Sequence, residues 1–319
     1  MEKSYNVEHF PNNVQAPIDI EIDDSQYKLY GFTFGGLYDF YNFLKKGPKT
    51  NTDIFGTSLE SVENSSSFAG RPYDEAIELL IQDNDPGYQE YLKVQRNLRA
   101  YKKPTHKYKV VKSIAGGAID PQAYATSSPE IYRVSRLMQK PKFITIDTQI
   151  AYNCGTSKNE VFNKAVIITN LIHALERKGY NVDVNSFMMA SEDNEIIQAL
   201  FKIKRHGQIT NYQAIYKTLV DVEFFRRLGF RIIEASEVRN SWSYGYGHPT
   251  GERLARKVLN LNPDDIYFGQ PMELDIGGEN IGEDFENVVS HLNLEKIIDV
   301  EKEKRILQES AKVLKKEKS

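Results

Sequence analysis

One segment near the middle of the chain has the residue types for anion or thiol chemistry: Tyr152-Asn153-Cys154-Gly155-Thr156-Ser157. A glycine and two hydroxyls ahead of a helix are the parts of an anion-holding turn, because the first amides of a helix are unpaired and lie at the positive end of its dipole. The segment is not a P-loop, since the lysine and the second glycine are missing. The same helix end would lower the pKa of Cys154 and make it a nucleophile. No histidine sits at a motif spacing from it, so an ordinary loop cysteine is the competing reading, with His173, His206 and His248 able to approach only through the fold. A second segment, Trp242–Pro249 (WSYGYGHP), combines three aromatics, two glycines and a histidine. With Arg239 and Tyr152 it forms the expected ligand or partner surface: Tyr152, Arg239, Trp242, Tyr244, Tyr246 and His248. The competing reading is a glycine-bent loop that packs its aromatics on the domain. Asp147 closes an apolar run (KFITID) and is a weak metal candidate, with Glu234 and Ser236 as further oxygen donors. Otherwise it caps loop amides. Lys202-Ile203-Lys204-Arg205-His206 is a basic cluster, read as an edge-strand guard against stray pairing or as a phosphate contact. Gly116-Gly117 is a tight turn followed by Asp120 and lacks the context of a dinucleotide fingerprint.

These groups need elements to hold them. After Pro141 the pattern is sharp. Lys142–Asp147 reads as a short buried strand, and Ser157 to Glu160 has capping-box spacing. Val161, Ala165, Ile168, Ile172 and Leu175 form one helical stripe, and Gly179 stands where a helix-ending glycine belongs. Asn181–Met189 and Ile196–Lys204 are strands joined by a turn too short for a crossover, so they should be antiparallel. A helix from Asn211 to Gly229, a strand at Phe230–Ala235, a helix at Thr250–Leu259, a strand at Asp265–Phe268 and a helix at Gly282–Leu292 complete the series. Short apolar strands between helices predict a mostly parallel α/β sheet with helices on both faces and the Ile196–Lys204 strand as an antiparallel edge. Toward the N-terminus, Ile18, Ile20 and Ile22 alternate with Asp19, Glu21 and Asp23, the pattern of an edge strand. Helices are predicted at Leu37–Lys46, Tyr73–Ile81 and Tyr91–Tyr101, a strand at Tyr108–Ile114, and a helix opening at Ser128-Pro129. The organisation is an N-terminal α+β region over 1–139, an α/β domain over 140–298 and a charged helical or frayed tail over 299–319.

The totals narrow the function classes. A net charge of −3 and a pI near 6.1 lack the broad basic field of a general nucleic-acid binder. One cysteine excludes a disulfide within the chain and a cysteine-rich zinc site. The opening residues have no signal-peptide order, and no apolar run approaches a membrane span. A protein of a reducing cytoplasm, without a membrane partner, is the expectation.

The strand order resembles that of von Willebrand factor A-type domains. Residues Ser67–Leu80 (SFAGRPYDEAIELL), Ser113–Tyr132 (SIAGGAIDPQAYATSSPEIY), the strand–helix–strand beginning KFITIDTQIAYNCGTSKNEVF and the later SYGYGHP also resemble a phage and mobile-element family of unknown function. That resemblance implies the cytoplasm of a bacterial host and protein partners of phage or host. Metal-binding A-type domains end their first strand in Asp-x-Ser-x-Ser. Here Asp147 matches the first ligand, while Gln149 and Ala151 replace both serines. The expectation is therefore no metal, no cofactor and a non-catalytic protein acting through protein–protein contacts, with nucleic acid an improbable partner. Two alternatives stay open. One is a hydrolase or transferase using Asp147, Cys154, Glu234 or His248. The other is a nucleic-acid-binding accessory protein using Lys202, Lys204, Arg205, Arg96, Arg99, Lys102 and Lys103.

Overall fold

A computed structural model describes residues 17–46, 71–82, 85–100, 108–116, 118–137, 142–153, 155–192, 194–221, 223–235 and 248–317. The chain opens with a hairpin of β1 (Ile18–Ile22) and β2 (Ser25–Phe34), paired from Ile18–Leu29 to Ile22–Ser25. Its two turn residues, Asp23 and Asp24, both have positive φ (52° and 63°), the backbone of a type I′ turn whose twist suits a tight hairpin. Next come α1 (Leu37–Lys46), α2 (Tyr73–Leu80) and α3 (Pro86–Ala100). A small separate sheet holds β3 (Tyr108–Ser113), β4 (Ala118–Ile119) and β5 (Tyr132–Leu137) in the order β3-β5-β4, with α4 (Pro121–Ala125) between β4 and β5.

The central unit follows: β6 (Lys142–Gln149), α5 (Lys158–Arg177), β7 (Tyr180–Glu192), β8 (Glu195–Lys204) and α6 (Tyr212–Leu219). A π-helical stretch (Phe224–Gly229) leads into α7 (Phe230–Ala235). Then come β9 (His248–Pro249), α8 (Glu252–Val258), β10 (Ile266–Phe268), a 3₁₀ turn (Pro271–Leu274), α9 (Ile281–His291) and α10 (Val300–Glu317). The main sheet runs β1-β2-β8-β7-β6-β10, with β9 pairing to β7. The β2–β8, β6–β7 and β6–β10 pairs are parallel; β1–β2, β7–β8 and β7–β9 are antiparallel. The protein is thus an α/β fold on a mixed sheet, parallel at three of the five pairings along its main path β1-β2-β8-β7-β6-β10.

Helix α5 forms for the reasons its sequence announces. Ser157 accepts from the Glu160 amide while Glu160 reaches back to the Ser157 amide, and Gly179 follows at φ 86°. Its Ile168, Ile172 and Leu175 are fully buried in one cluster with Ile144, Val182 and Val184. That face of the sheet carries the main core, to which α1, α2, α3, α6, α9 and α10 also contribute. The opposite face buries a smaller group, Leu29, Phe187, Met189, Ile196 and Tyr267, beneath Ala255 of α8.

Three local expectations are corrected. Phe230–Ala235 is helix, not strand. A short apolar run (FRIIEA) fits a buried helix as well as a buried strand, and here the preceding π-helical residues continue into it, burying Ile232 and Ile233. Residues after Ser128-Pro129 form β5, because Asp120 and Pro121 have already opened the local helix. Asp120 Oδ1 accepts from the Gln122 and Ala123 amides. Strand β8 is antiparallel to β7 as expected, but it is no edge: β2 pairs along its other side from Lys28–Glu195 to Phe34–Phe201. The tail is a helix whose Ile306 and Leu307 are buried in the main core.

Candidate functional site

In an open α/β sheet, ligands favour the crevice at the carboxyl ends of the strands where the strand order reverses. Here the chain leaves β6 for β7 on one side and returns to β10 on the other, so that crevice lies between the ends of β6 and β10. Its own side chains fill it. The Gln149 amide group donates to Met189 O (3.2 Å) and accepts from the Ala151 and Met189 amides (3.2 and 3.3 Å). Gln270 Oε1 accepts from the Asn153 amide (3.1 Å), and Arg226 donates to Asn153 O (3.1 Å), holding the loop shut. Beneath it, Lys164 of α5 is completely buried and donates to Gln149 O at 2.6 Å, its ammonium 5.0 Å from the Tyr152 ring centre. Burial drives the Lys164 pKa well below the ordinary lysine value, against the opposing pull of Glu273.

Asp147 precedes Gln149 by two residues on β6. Alternation along β6 sets it on the α8 face, opposite Asn185 and Tyr267. It is 2% exposed. Its Oδ1 accepts from Asn185 Nδ2 (2.8 Å), and Asn185 Oδ1 accepts from Arg205 (3.0 Å), while Oδ2 is buried without a hydrogen-bond partner among the described residues. Burial pushes its pKa up to about 6, with Asp265 adding and Asn185, Arg205 and Arg256 opposing. No group of three or more possible metal ligands occurs among the described residues.

A second concentration of charge joins the two halves of the chain. Asp85 caps α3, accepting from the Gly87 amide (2.8 Å) and the Tyr88 amide (3.3 Å). It also receives Lys217 (3.0 Å), Arg71 (3.1 Å) and the Tyr216 hydroxyl (3.2 Å). Lys217 reaches Asp221 as well (2.8 Å), and Arg71 lies 3.6 Å from Glu223. Burial would raise Asp85, but Lys217 and Arg71 prevail and hold it at about 2. Asp221, desolvated and next to Glu223, rises to about 7 despite Lys217. The cluster is packed tight: a Cβ on Gly87 would fall 2.1 Å from the Tyr216 hydroxyl.

An open groove of about 630 Å³ lies between the β1 hairpin and α8. Ile18, Ile20, Leu29, Val258 and Leu261 give it an apolar lining, and Asp23, Arg256 and Lys257 a charged rim. Asp23, held outward by the type I′ turn, pairs with both Arg253 (2.8 Å) and Lys257 of α8 and so ties the hairpin tip to the helix. Ile18 is 47% exposed at its mouth.

Comparison with known proteins adds one finding. A family described as Domain of unknown function (DUF7192) matches residues 13–296. The chain belongs to that family. No curated protein and no solved structure matches it. The DUF7192 match runs across both the β1–α8 groove and the β6–β10 crevice.

Of the residues expected to bind a ligand or partner, Tyr152 is half-buried and donates its hydroxyl to Leu219 O (3.2 Å). Arg239, Trp242, Tyr244 and Tyr246 lie outside the described residues, as do Cys154 and Ser236 and the side chains of Glu234, His248 and Arg99. The His248 backbone pairs with Ser191, which places the start of β9 beside β7. Lys102 and Lys103 also lie outside the described residues. In the basic cluster, Lys204 is buried on Glu176 (2.9 Å) and Val182 O (3.0 Å), and His206 binds Asp183 (2.9 Å). The sequence reading missed the groove, Lys164 and the Asp85–Lys217 cluster. The lysines gave one signal: Lys164 and Lys217 each stand among the apolar residues of an otherwise buried helix.

No helix of the described residues is long and apolar enough to cross a membrane.

Proposed function

We propose that this chain is a non-catalytic protein of a phage or mobile element. It works in the host cytoplasm by binding another protein, on a sheet of the von Willebrand factor A type. The observation that carries the reading is the β1–α8 groove, apolar within, charged at its rim and open at a sheet edge. Grooves of this composition suit partner recognition, whereas catalysis needs convergent groups with free lone pairs or protons. The order β8-β7-β6-β10, with an antiparallel strand next to the second strand of the unit, supports the A-type comparison. At the position of the A-type metal motif, Gln149 is engaged by the backbone of Ala151 and Met189, and Asp147, on the same face of β6, is hydrogen-bonded to Asn185. The nucleic-acid alternative loses its strongest members, because Lys204 is buried on Glu176 and Arg205 donates to Asn185.

Photocrosslinking in host cells tests the reading. A crosslinker placed at Ile18 or Lys257 should capture a protein that reforms a stoichiometric complex from purified components, and Ile18→Asp should weaken that complex. Capture from Lys158, on the exposed start of α5, with none from the groove positions would overturn it.

A further inference from the structure

We propose that the groove takes an extended segment that joins the sheet as a new strand beside β1, and that this segment alternates apolar with basic residues. The inference rests on the binding reading above and names its partner.

The backbone argument comes first. Among the described residues β1 pairs only with β2, and no described strand lies along its other side. In a two-residue hairpin the pair flanking the turn, Ile22 and Ser25, is the hydrogen-bonded one, and bonding then alternates along the strand. The amides and carbonyls of Ile18, Ile20 and Ile22 thus face β2, and those of Asp19 and Glu21 face outward. An edge with free donors and acceptors is a template for strand addition.

Side chains set the specificity. On the groove side an incoming strand would lay alternate residues next to Ile18 and Ile20 and beneath Val258 and Leu261, where apolar groups fit. On the other side its intervening residues would stand beside Asp19 and Glu21, both exposed. Carboxylates there call for lysine or arginine, since opposite charges on adjacent strands attract and like charges repel. The same rule disfavours a second copy of this chain: antiparallel pairing of two β1 strands about Ile20 would set Asp19 against Glu21. Asp23 bridges the hairpin tip to Arg253 and Lys257 of α8 at the end of the groove.

The test uses the full chain and three labelled nine-residue peptides. One alternates valine with lysine, one alternates valine with glutamate, and one has the valine–lysine composition with the two residue types in blocks. Fluorescence anisotropy should show the alternating valine–lysine peptide binding about tenfold more tightly than either control, the size expected of two cross-strand ion pairs. Amide exchange should slow at Asp19 and Glu21. The Asp19→Lys/Glu21→Lys variant alters only exposed side chains and should reverse the order, preferring the glutamate peptide. Equal binding of the alternating and blocked lysine peptides, or protection confined to other amides, would overturn the proposal. So would a preference unchanged by charge reversal, or a dimer in sedimentation that protects the same amides without peptide. If no peptide binds while the photocrosslinkers at Ile18 and Lys257 still capture a reconstitutable partner, strand addition fails and the binding reading stands. If both experiments are empty, both readings fall.

Discussion

Replacing Asp85 tests whether the buried charge cluster holds the two halves of the chain together. Asp85 is 1% exposed and its partner Lys217 is completely buried. Removing one member of a buried ion pair costs about 3–5 kcal/mol, chiefly because the other charge is left without compensation. Lys217 keeps Asp221 at 2.8 Å and Arg71 keeps Glu223 at 3.6 Å, so the expected loss lies near the lower end of that range, about 3 kcal/mol. Asp85→Ala also uncaps α3, whose Gly87 and Tyr88 amides lose their acceptor, for about 1 kcal/mol more. Asparagine caps as well as aspartate. Asp85→Asn should therefore cost about 3 kcal/mol and Asp85→Ala about 4, measured by urea denaturation at pH 7. The acid side has a definite sign. Asp85 is held below its unfolded value, so its stabilisation is complete above about pH 4 and fades as pH falls toward about 2. Both variants should lack that fading. A wild-type-like denaturation midpoint for Asp85→Asn, or identical losses for the two variants, would refute the reasoning for the charge or the cap respectively.

In the core, Ile172→Ala should leave a cavity and cost about 2–5 kcal/mol, Ser157→Ala about 1 and Lys178→Ala within about ±0.5, ranked by chemical denaturation. Asp147 and Asp221 are raised to about 6 and about 7, so the folded state keeps protons that the unfolded chain releases near pH 4. Stability should fall as pH rises through those windows, and Asp147→Asn and Asp221→Asn should each flatten the fall in melting scans between pH 4 and 7. Gly278 has φ 79° and approaches α5 so closely that a Cβ would lie 2.8 Å from the Glu160 nitrogen. Gly278→Ala should lower the melting temperature, whereas Gly251→Ala, with open space around it, should not. Millimolar magnesium should leave the melting temperature unchanged. A rise abolished by Asp147→Ala would restore the metal reading.

What the sequence made legible was local. The capping box at Ser157, the stripe through Ile168 and Ile172, and the glycine at 179 all sit within one helix, so nearest-neighbour chemistry identified it. The β7–β8 hairpin followed from a turn too short for any other connection. Phe230–Ala235 was illegible because two residue periodicities fit a six-residue apolar run, and the π-helical stretch before it has no sequence signature. Helix α4 was missed because a later Ser-Pro pair looked like the better cap. The groove and the Asp85 cluster depend on residues distant in sequence, Ile20 with Val258 and Asp85 with Lys217, and no spacing rule connects them. Lys164 fell on a face read as apolar. Its role as a donor to Gln149 O exists only once β6 ends above α5.

The parallel pairing of β2 with β8 also orders events during synthesis. Lys28 meets Glu195 in that pair, a separation of about 170 residues, which a ribosome adding ~5–20 residues per second covers in roughly ten to thirty seconds. Until then the β1–β2 hairpin has only itself and its neighbours, and an isolated hairpin is marginal in water. Phe32 and Phe34, buried in the finished protein, spend that interval without Ala199 and Phe201 beside them. The nascent chain therefore carries this aromatic strand unaccompanied for that interval, and a chaperone that binds short apolar segments would find a target there.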